Sequence, residues 1–155
     1  MHVSAKTDYG MRALLELAAA HAENPRRLIK GDVIAEAQDI PVKFLEGILS
    51  QLRQAGIVAS QRGPEGGYRL DRDPHAVTIA DVTRALDGPL VGVRGERPED
   101  LDYHGASEHL RDVWIAVRSS LRHVLENISL ADVAAGELPT EFTDLLAAPG
   151  AWERR

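Results

Sequence analysis

The residues between 60 and 71 combine positive charge with a backbone that has to turn sharply. This stretch reads SQRGPEGGYRLD, and Arg62 and Arg69 lie on either side of three glycines and a proline. Guanidinium groups bind phosphate through paired hydrogen bonds, and glycine leaves no side chain between the backbone and a neighbouring surface. The pattern favours a loop that contacts a polyanion, although a purely structural hairpin loop uses the same glycines. These residues therefore indicate a site that binds a negatively charged partner.

The segment before this loop, PVKFLEGILSQLRQAG, predicts an amphipathic helix that starts with Pro41 and ends at a left-handed Gly56. Its apolar side is predicted to contain Phe44, Leu45, Ile48, Leu49 and Leu52, and its other side Val42, Lys43, Glu46, Gly47 and Gln51. Lys43 and Glu46 lie one turn apart, so both can face base edges, and a carboxylate can accept a hydrogen bond from a cytosine amino group. The alternative for Glu46 is an ordinary surface charge.

Two further helices and two strands surround this segment. The periodicity from Ser4 onward predicts a first helix that Ser4 or Thr7 caps, and residues 31–40 predict a short second helix with Val33, Ile34 and Ala37 on one face. Apolar residues around positions 57–60 and 68–70 predict two antiparallel strands joined by the glycine-rich loop. The order predicts a winged helix-turn-helix DNA-binding domain over residues 1–75.

The second half of the chain predicts a helix capped by Thr78, a loop over about residues 90–106 and then a long amphipathic helix. Its apolar stripe is expected to pair with a second copy of the chain, or alternatively to fold back on its own domain, and consists of Leu110, Val113, Trp114, Val117, Leu121, Val124, Leu125 and Ile128. Ser129 caps one more short helix. We predict a mainly α fold with a small two-stranded β wing, a regulatory and dimerisation part over 76–138 and a flexible or loosely docked tail over 139–155.

Composition excludes several classes of protein. The chain has no cysteine, so disulfides, cysteine nucleophiles and thiolate ligands are excluded, and it shows no signal peptide or membrane span. The net charge is −6, yet residues 1–75 carry ten basic and ten acidic residues, so the acidity belongs to the C-terminal half. These features predict a cytoplasmic protein whose neutral N-terminal half can present a local basic face to DNA.

Two rival functions need consideration. Ser119, His123 and Asp132 are the residue types of a hydrolytic triad, but the first two lie along one helix without a nucleophile elbow, so we predict that the chain is not an enzyme. The other rival is a winged-helix module that binds protein rather than DNA.

The motifs IPVKFLEGILSQLRQAGIVASQRGPEGGYRL, KTDYGMRALLELA, VTIADVTRALDGP and ISLADV together resemble the Rrf2 family of bacterial winged-helix transcription regulators. The resemblance covers about residues 1–138. It implies a homodimer, expected to be a repressor, that binds double-stranded DNA at imperfect inverted repeats. The third helix would enter the major groove and the wing the flanking minor groove. The residues that this assigns to DNA contact are Lys6, Pro41, Val42, Lys43, Glu46, Gly47, Gln51, Arg62, Gly63, Pro64, Gly66, Gly67 and Tyr68.

The sequence departs from the family pattern in the loop after residue 90. Many members bind an iron–sulfur cluster there through three cysteines, and this loop has none, so we expect no cluster and no other cofactor. An alternative is a metal-responsive regulator, because imidazole and carboxylate ligands suit zinc, iron or nickel, with Asp8, His104, Glu108 and His109 as candidate ligands. The resemblance otherwise implies control by a small molecule, in a pocket near Trp114, or by a partner protein.

Overall fold

The computed structural model describes residues 1–154, so the last residue of the predicted tail, Arg155, lies outside the described residues. The elements in chain order are α1 (Ala5–Glu23), α2 (Gly31–Gln38), α3 (Val42–Gln54), β1 (Val58–Gln61), β2 (Gly67–Leu70), α4 (Ile79–Asp87), α5 (Leu110–Leu125), α6 (Leu130–Ala135) and α7 (Thr140–Ala147). The two strands pair antiparallel, with Val58 opposite Leu70 and Gln61 opposite Gly67. This confirms the prediction of a mainly α fold with a two-stranded wing.

Local capping signals determine where several helices begin and end. The Ser4 side chain accepts a hydrogen bond from the Thr7 backbone at the start of α1, and Thr78 and Ser129 form complete capping boxes at the starts of α4 and α6. Pro41 lies one position earlier than predicted, just before the first residue of α3. Gly56 has a φ of 73°, and the Ile57 backbone NH donates to the Leu52 carbonyl as in a Schellman motif.

The hydrophobic core joins the two halves of the chain. Leu14 and Leu17 of α1 pack with residues of α3, with Val82 and Leu86 of α4 and with Leu130 of α6. On α3 the buried residues are Leu45, Ile48, Leu49 and Leu52. The helices α4 and α6 therefore belong to the same core as the predicted DNA-binding domain.

Three residues that the sequence placed on buried faces are exposed. Phe44 is 47 % exposed, because it lies at the edge of α3, where its ring packs edge-on against Tyr9 at a centroid distance of 5.6 Å. On α2 the buried pair is Ile34 and Ala35, whereas Val33 and Ala37 face solvent. The prediction for Phe44, Val33 and Ala37 was therefore wrong. For the two residues of α2 the reason is that a short helix can be rotated by one residue without losing its apolar character.

One arginine holds the turn between α2 and α3. The guanidinium of Arg12 donates to the carbonyl of Gln38 at 2.9 Å, lies 4.7 Å from the ring centroid of Tyr9 and pairs with Asp8 at 3.2 Å. Asp39 follows in a left-handed conformation, with a φ of 51°. These contacts fix the end of α2 against α1 and so the direction in which α3 starts.

The segment between α4 and α5 is irregular, as predicted, with two short 3₁₀ turns. Leu101 of this segment is buried, and the segment is attached to α5, because Trp114 donates its indole NH to the Tyr103 hydroxyl at 3.1 Å and Arg118 pairs with Glu99. The segment predicted as a tail contains α7, whose Phe142 is buried and packs against the ring of His123. No helix within residues 1–154 has the length and hydropathy needed to cross a membrane.

Candidate nucleic-acid interface

The polar side of α3 faces solvent. Pro41, Val42, Lys43, Glu46, Gly47 and Gln51 are all exposed. A Cβ atom added to Gly47 would meet nothing within 4 Å. The structure thus leaves one complete face of α3 open, as an element that enters a DNA groove requires.

The wing is fixed to the body of the protein at its root. Ile29 and Tyr68 exchange both backbone hydrogen bonds, at 2.9 and 2.7 Å, so the segment before α2 pairs with β2. A Cβ atom on Gly67 would lie 2.6 Å from the Ile29 carbonyl oxygen, and one on Gly66 would lie 2.2 Å from the Gln61 carbonyl oxygen. These contacts give Gly66, Gly67 and Tyr68 a packing role, which for the glycines is the structural alternative that the sequence left open.

The tip of the wing presents the remaining predicted residues. Arg62, Gly63 and Pro64 are exposed, and Gly63 has a φ of 104°. The Arg62 side chain forms no ion pair within the described part of the chain. Its guanidinium is free to bind phosphate or to enter a minor groove.

A groove of about 490 Å³ runs between the wing and the helices. Its lining includes Lys30, Arg53 and Arg62 and contains no carboxylate. Arg53 donates to the Ser60 hydroxyl at 3.3 Å, so α3 and β1 are linked at this point. Arg53 follows Glu46 by seven residues, about two helical turns, and therefore lies on the same side of α3. The groove continues the open face of α3 towards Arg62.

Sequence reasoning missed Lys30 and Arg53. The available signal for Arg53 was its seven-residue spacing from Glu46 on the predicted recognition helix. Lys30 gave no such signal, because its position beside the wing depends on the pairing of Ile29 with Tyr68, which are distant in sequence.

Lys6 lies elsewhere, beside the end of α4. Its ammonium is 3.9 Å from the carboxylate of Asp87, which also accepts hydrogen bonds from the hydroxyls of Ser4 and Thr7, both at 2.7 Å. Partial burial favours the neutral form of Asp87, but the hydroxyl donors and the Lys6 charge outweigh it and lower the pKa of Asp87 below its ordinary value. Lys6 does not line the basic groove.

The apolar stripe of α5 is partly uncovered. Val113 is 50 %, Val117 39 % and Leu110 37 % exposed, and α5 contains no buried residue. Trp114, Leu121, Val124 and Leu125 are half-buried against the chain itself, and Ile128, beyond the end of the helix, is buried. The stripe therefore has an inner edge that packs within the chain and an outer edge that faces solvent.

The candidate metal ligands do not converge. Asp8 pairs with Arg12, His109 lies 3.3 Å from Asp112, and among residues 1–154 no three His, Asp or Glu side chains are placed to share a metal ion. Without cysteine the donor set does not fit an iron–sulfur cluster.

Two residues of the hypothetical triad, Asp132 and His123, have separate partners. Asp132 accepts hydrogen bonds from Ser129, which lower the pKa of Asp132, whereas His123 lies 3.5 Å from Glu141.

Comparisons with known proteins agree with this geometry. The Rrf2 family model, described as an iron-dependent transcriptional regulator, matches residues 3–136. A candidate HTH-type transcriptional regulator of Mycobacterium tuberculosis, Rv1287, is 47 % identical over 145 residues, which are 94 % of this chain and 88 % of the relative. The HTH-type transcriptional regulator CymR of Bacillus subtilis is 36 % identical over 135 residues, which are 87 % of this chain and 91 % of CymR.

Solved structures show the same likeness. The structure of CymR, described as the global cysteine regulator of B. subtilis, has a TM-score of 0.73 at 33 % identity and covers 88 % of this chain and 98 % of CymR. That of IscR from T. potens has a TM-score of 0.67 at 33 % identity and covers 88 % of each chain. These matches confirm the prediction that the chain is a transcriptional regulator and not an enzyme. The chain belongs to the Rrf2 family of winged helix-turn-helix transcriptional regulators.

Proposed function

We propose that this regulator is a homodimeric repressor that binds an inverted-repeat operator, works without an iron–sulfur cluster and responds to a small molecule or partner protein. The observation that carries the proposal is the continuity between the open face of α3 and the basic groove at the wing. Glu46 and Arg53 lie on one side of α3, and Arg53 shares the groove with Lys30 and Arg62.

This arrangement separates base reading from phosphate binding. Lys43, Glu46 and Gln51 are exposed polar side chains on α3 that can reach base edges in the major groove. The groove cations Lys30 and Arg53 would hold the phosphate backbone beside them, and Arg62 would enter the adjacent minor groove. Glu46 repels phosphate, so its presence on this face favours a role in discriminating between bases.

The uncovered edge of α5 supports the dimer. Leu110, Val113 and Val117 form an apolar row that water contacts in a single chain, and pairing with the same row of a second copy would bury it. A twofold arrangement of two recognition helices matches an operator made of two half-sites. We place DNA binding in residues 1–75 and dimerisation and regulation in 76–138. The two parts differ in proposed function but share one hydrophobic core.

The absence of cysteine supports a regulator without a cluster. Contacts made by Tyr103 and Glu99 attach the loop after residue 90 to α5. We propose that an effector acts through this loop, and that the protein works beside DNA in the cytoplasm.

The proposal is tested with full-length protein and fragments of the genome that encodes it. We expect the protein to retain a fragment containing an inverted repeat, and footprinting to show protection of two half-sites. The Lys43→Ala/Arg62→Ala double variant should lose retention. Lys30→Ala and Arg53→Ala, which remove the proposed phosphate contacts, should each reduce the slope of log affinity against log salt by about 0.9. Arg111→Gln, an exposed arginine on α5, is a control that removes one positive charge away from this interface. Retention of no fragment at low salt, or unchanged affinity in the double variant, would contradict the proposal.

A further inference from the structure

A second concentration of positive charge lies between α4, the segment that follows it and α5. A cavity of about 410 Å³ is found there, and its walls include Arg84 from α4, Arg97 and Glu99 from the connecting segment, and Arg118 and Arg122 from α5. It shares no residue with the basic groove at the wing.

Four arginines lie together at this cavity, although the C-terminal half of the chain is acidic. Residues 76–155 carry eight basic and fourteen acidic residues, and four of the eight basic residues line this one cavity. Like charges placed together destabilise a fold unless a counter-charge offsets their repulsion. Negative charge in or beside the cavity would offset this repulsion.

The chain supplies only part of that charge. Glu99 pairs with Arg118, whose side chain is 18 % exposed, and Glu126 lies against Arg84 and within 3.9 Å of Arg122. Two carboxylates thus face four guanidinium groups, and Arg97 has no ion pair with any residue among 1–154. Because Arg84 and Arg118 each form an ion pair, a ligand would have to order these two side chains less than unpaired ones.

We propose that this cavity binds a small polyanion, either a phosphorylated or a polycarboxylate metabolite. Planar guanidinium groups bind phosphate and carboxylate through paired hydrogen bonds, and a volume of about 410 Å³ is in the range of small-molecule sites. Leu90 and Val91, which also line the cavity, offer an apolar wall for the carbon skeleton of such a ligand.

The position of the cavity gives the ligand a route to the DNA-binding face. Arg84 belongs to α4, which packs in the core with α1 and α3, whereas Arg118 and Arg122 belong to α5, which carries the uncovered stripe. An anion that contacts both helices would bias their relative placement. This regulatory role rests on the proposed function, but binding of the anion does not.

The site is tested by isothermal titration of the full-length protein with pyrophosphate and with citrate, in the absence of DNA. We expect saturable binding of at least one probe, with one site per chain. The Arg97→Gln/Arg122→Gln double variant keeps Arg84 and Arg118 with their ion pairs. It should raise the dissociation constant by about tenfold or more. Arg111→Gln on the same helix and Arg62→Gln in the wing should leave the constant unchanged.

Two results would overturn the proposal. One is the absence of saturable heat from both probes, and the other is an affinity that falls equally in the Arg62→Gln control, which would place the anion on the DNA-binding surface. The titration contains no DNA, so its result does not depend on whether an operator is found for the proposed function. Adding the bound probe to an operator titration then measures the regulatory role separately.

Discussion

Thr7 in the first turn of α1 donates its hydroxyl to the carboxylate of Asp87, the last residue of α4, at 2.7 Å. Ser4 donates to the other oxygen of the same carboxylate at the same distance. One carboxylate therefore joins the beginning of the DNA-binding half to the end of the helix that leads into the regulatory half.

This joint predicts a pH-dependent contribution to stability. The folded-state pKa of Asp87 is lowered, so its contribution is complete above the ordinary pKa of aspartate and disappears as pH falls through the folded value. Asp87→Asn should cost about 1 kcal/mol of unfolding free energy at pH 7, and less as the solution becomes acidic. Urea denaturation at a series of pH values measures the difference. Asp102→Asn, an exposed aspartate in the connecting segment, is the control, and a constant gap between wild type and Asp87→Asn at every pH would contradict the prediction.

Two glycines, Gly66 in the wing and Gly47 in α3, predict opposite effects of substitution by alanine. Gly66→Ala should destabilise the fold by about 1–3 kcal/mol, because the new methyl group would collide with the Gln61 carbonyl. Gly47→Ala has open space inside a helix and should stabilise it by about 0.5–1 kcal/mol. If the face of α3 approaches DNA as proposed, Gly47→Ala nonetheless weakens operator binding. Thermal unfolding and fluorescence anisotropy separate the two effects, and a Gly47→Ala protein with full operator affinity would argue against close approach at this point.

Much of the fold was predictable because its signals are local. The caps Ser4, Thr78 and Ser129 and the left-handed Gly56 each depend on neighbours within a few residues. The open side of α3 was predictable for the same reason, as the complement of an apolar stripe with helical spacing.

The sequence did not reveal features that depend on distant partners. The groove residue Lys30 owes its place to the bridge between Ile29 and Tyr68, and Asp87 owes its pKa to residues at the other end of the domain. Phe44 looked like a core residue because apolar spacing does not specify how much of the edge of a helix a neighbour covers. Convergence of Arg84 and Arg122 likewise requires the tertiary fold.

Glu46 predicts a change in specificity rather than a simple loss of affinity. Removing a carboxylate that accepts from one cytosine should relax the preference at that base by about 1–3 kcal/mol, while binding to other sequences improves because a repulsive charge is lost. In vitro selection with Glu46→Ala and wild type measures the preference at each operator position. Glu36→Ala, an exposed glutamate on α2, removes the same charge away from α3. Identical selected sequences for Glu46→Ala and wild type would assign Glu46 to the ordinary surface.

The α5 stripe predicts that two substitutions will separate the dimer. Val113→Glu/Val117→Glu places two carboxylates on the exposed apolar row, where each would face the row of the second copy and would have to be desolvated. Sedimentation velocity should then give the mass of one chain for the variant and of two chains for wild type, with the helical circular dichroism preserved. Operator affinity should fall as well, since each half-site would have to be bound independently. Val33→Glu tests for a non-specific effect, because Val33 is equally exposed but lies on α2. A wild-type protein that sediments as one chain, or a double variant that still sediments as two, would show that α5 packs in some other way.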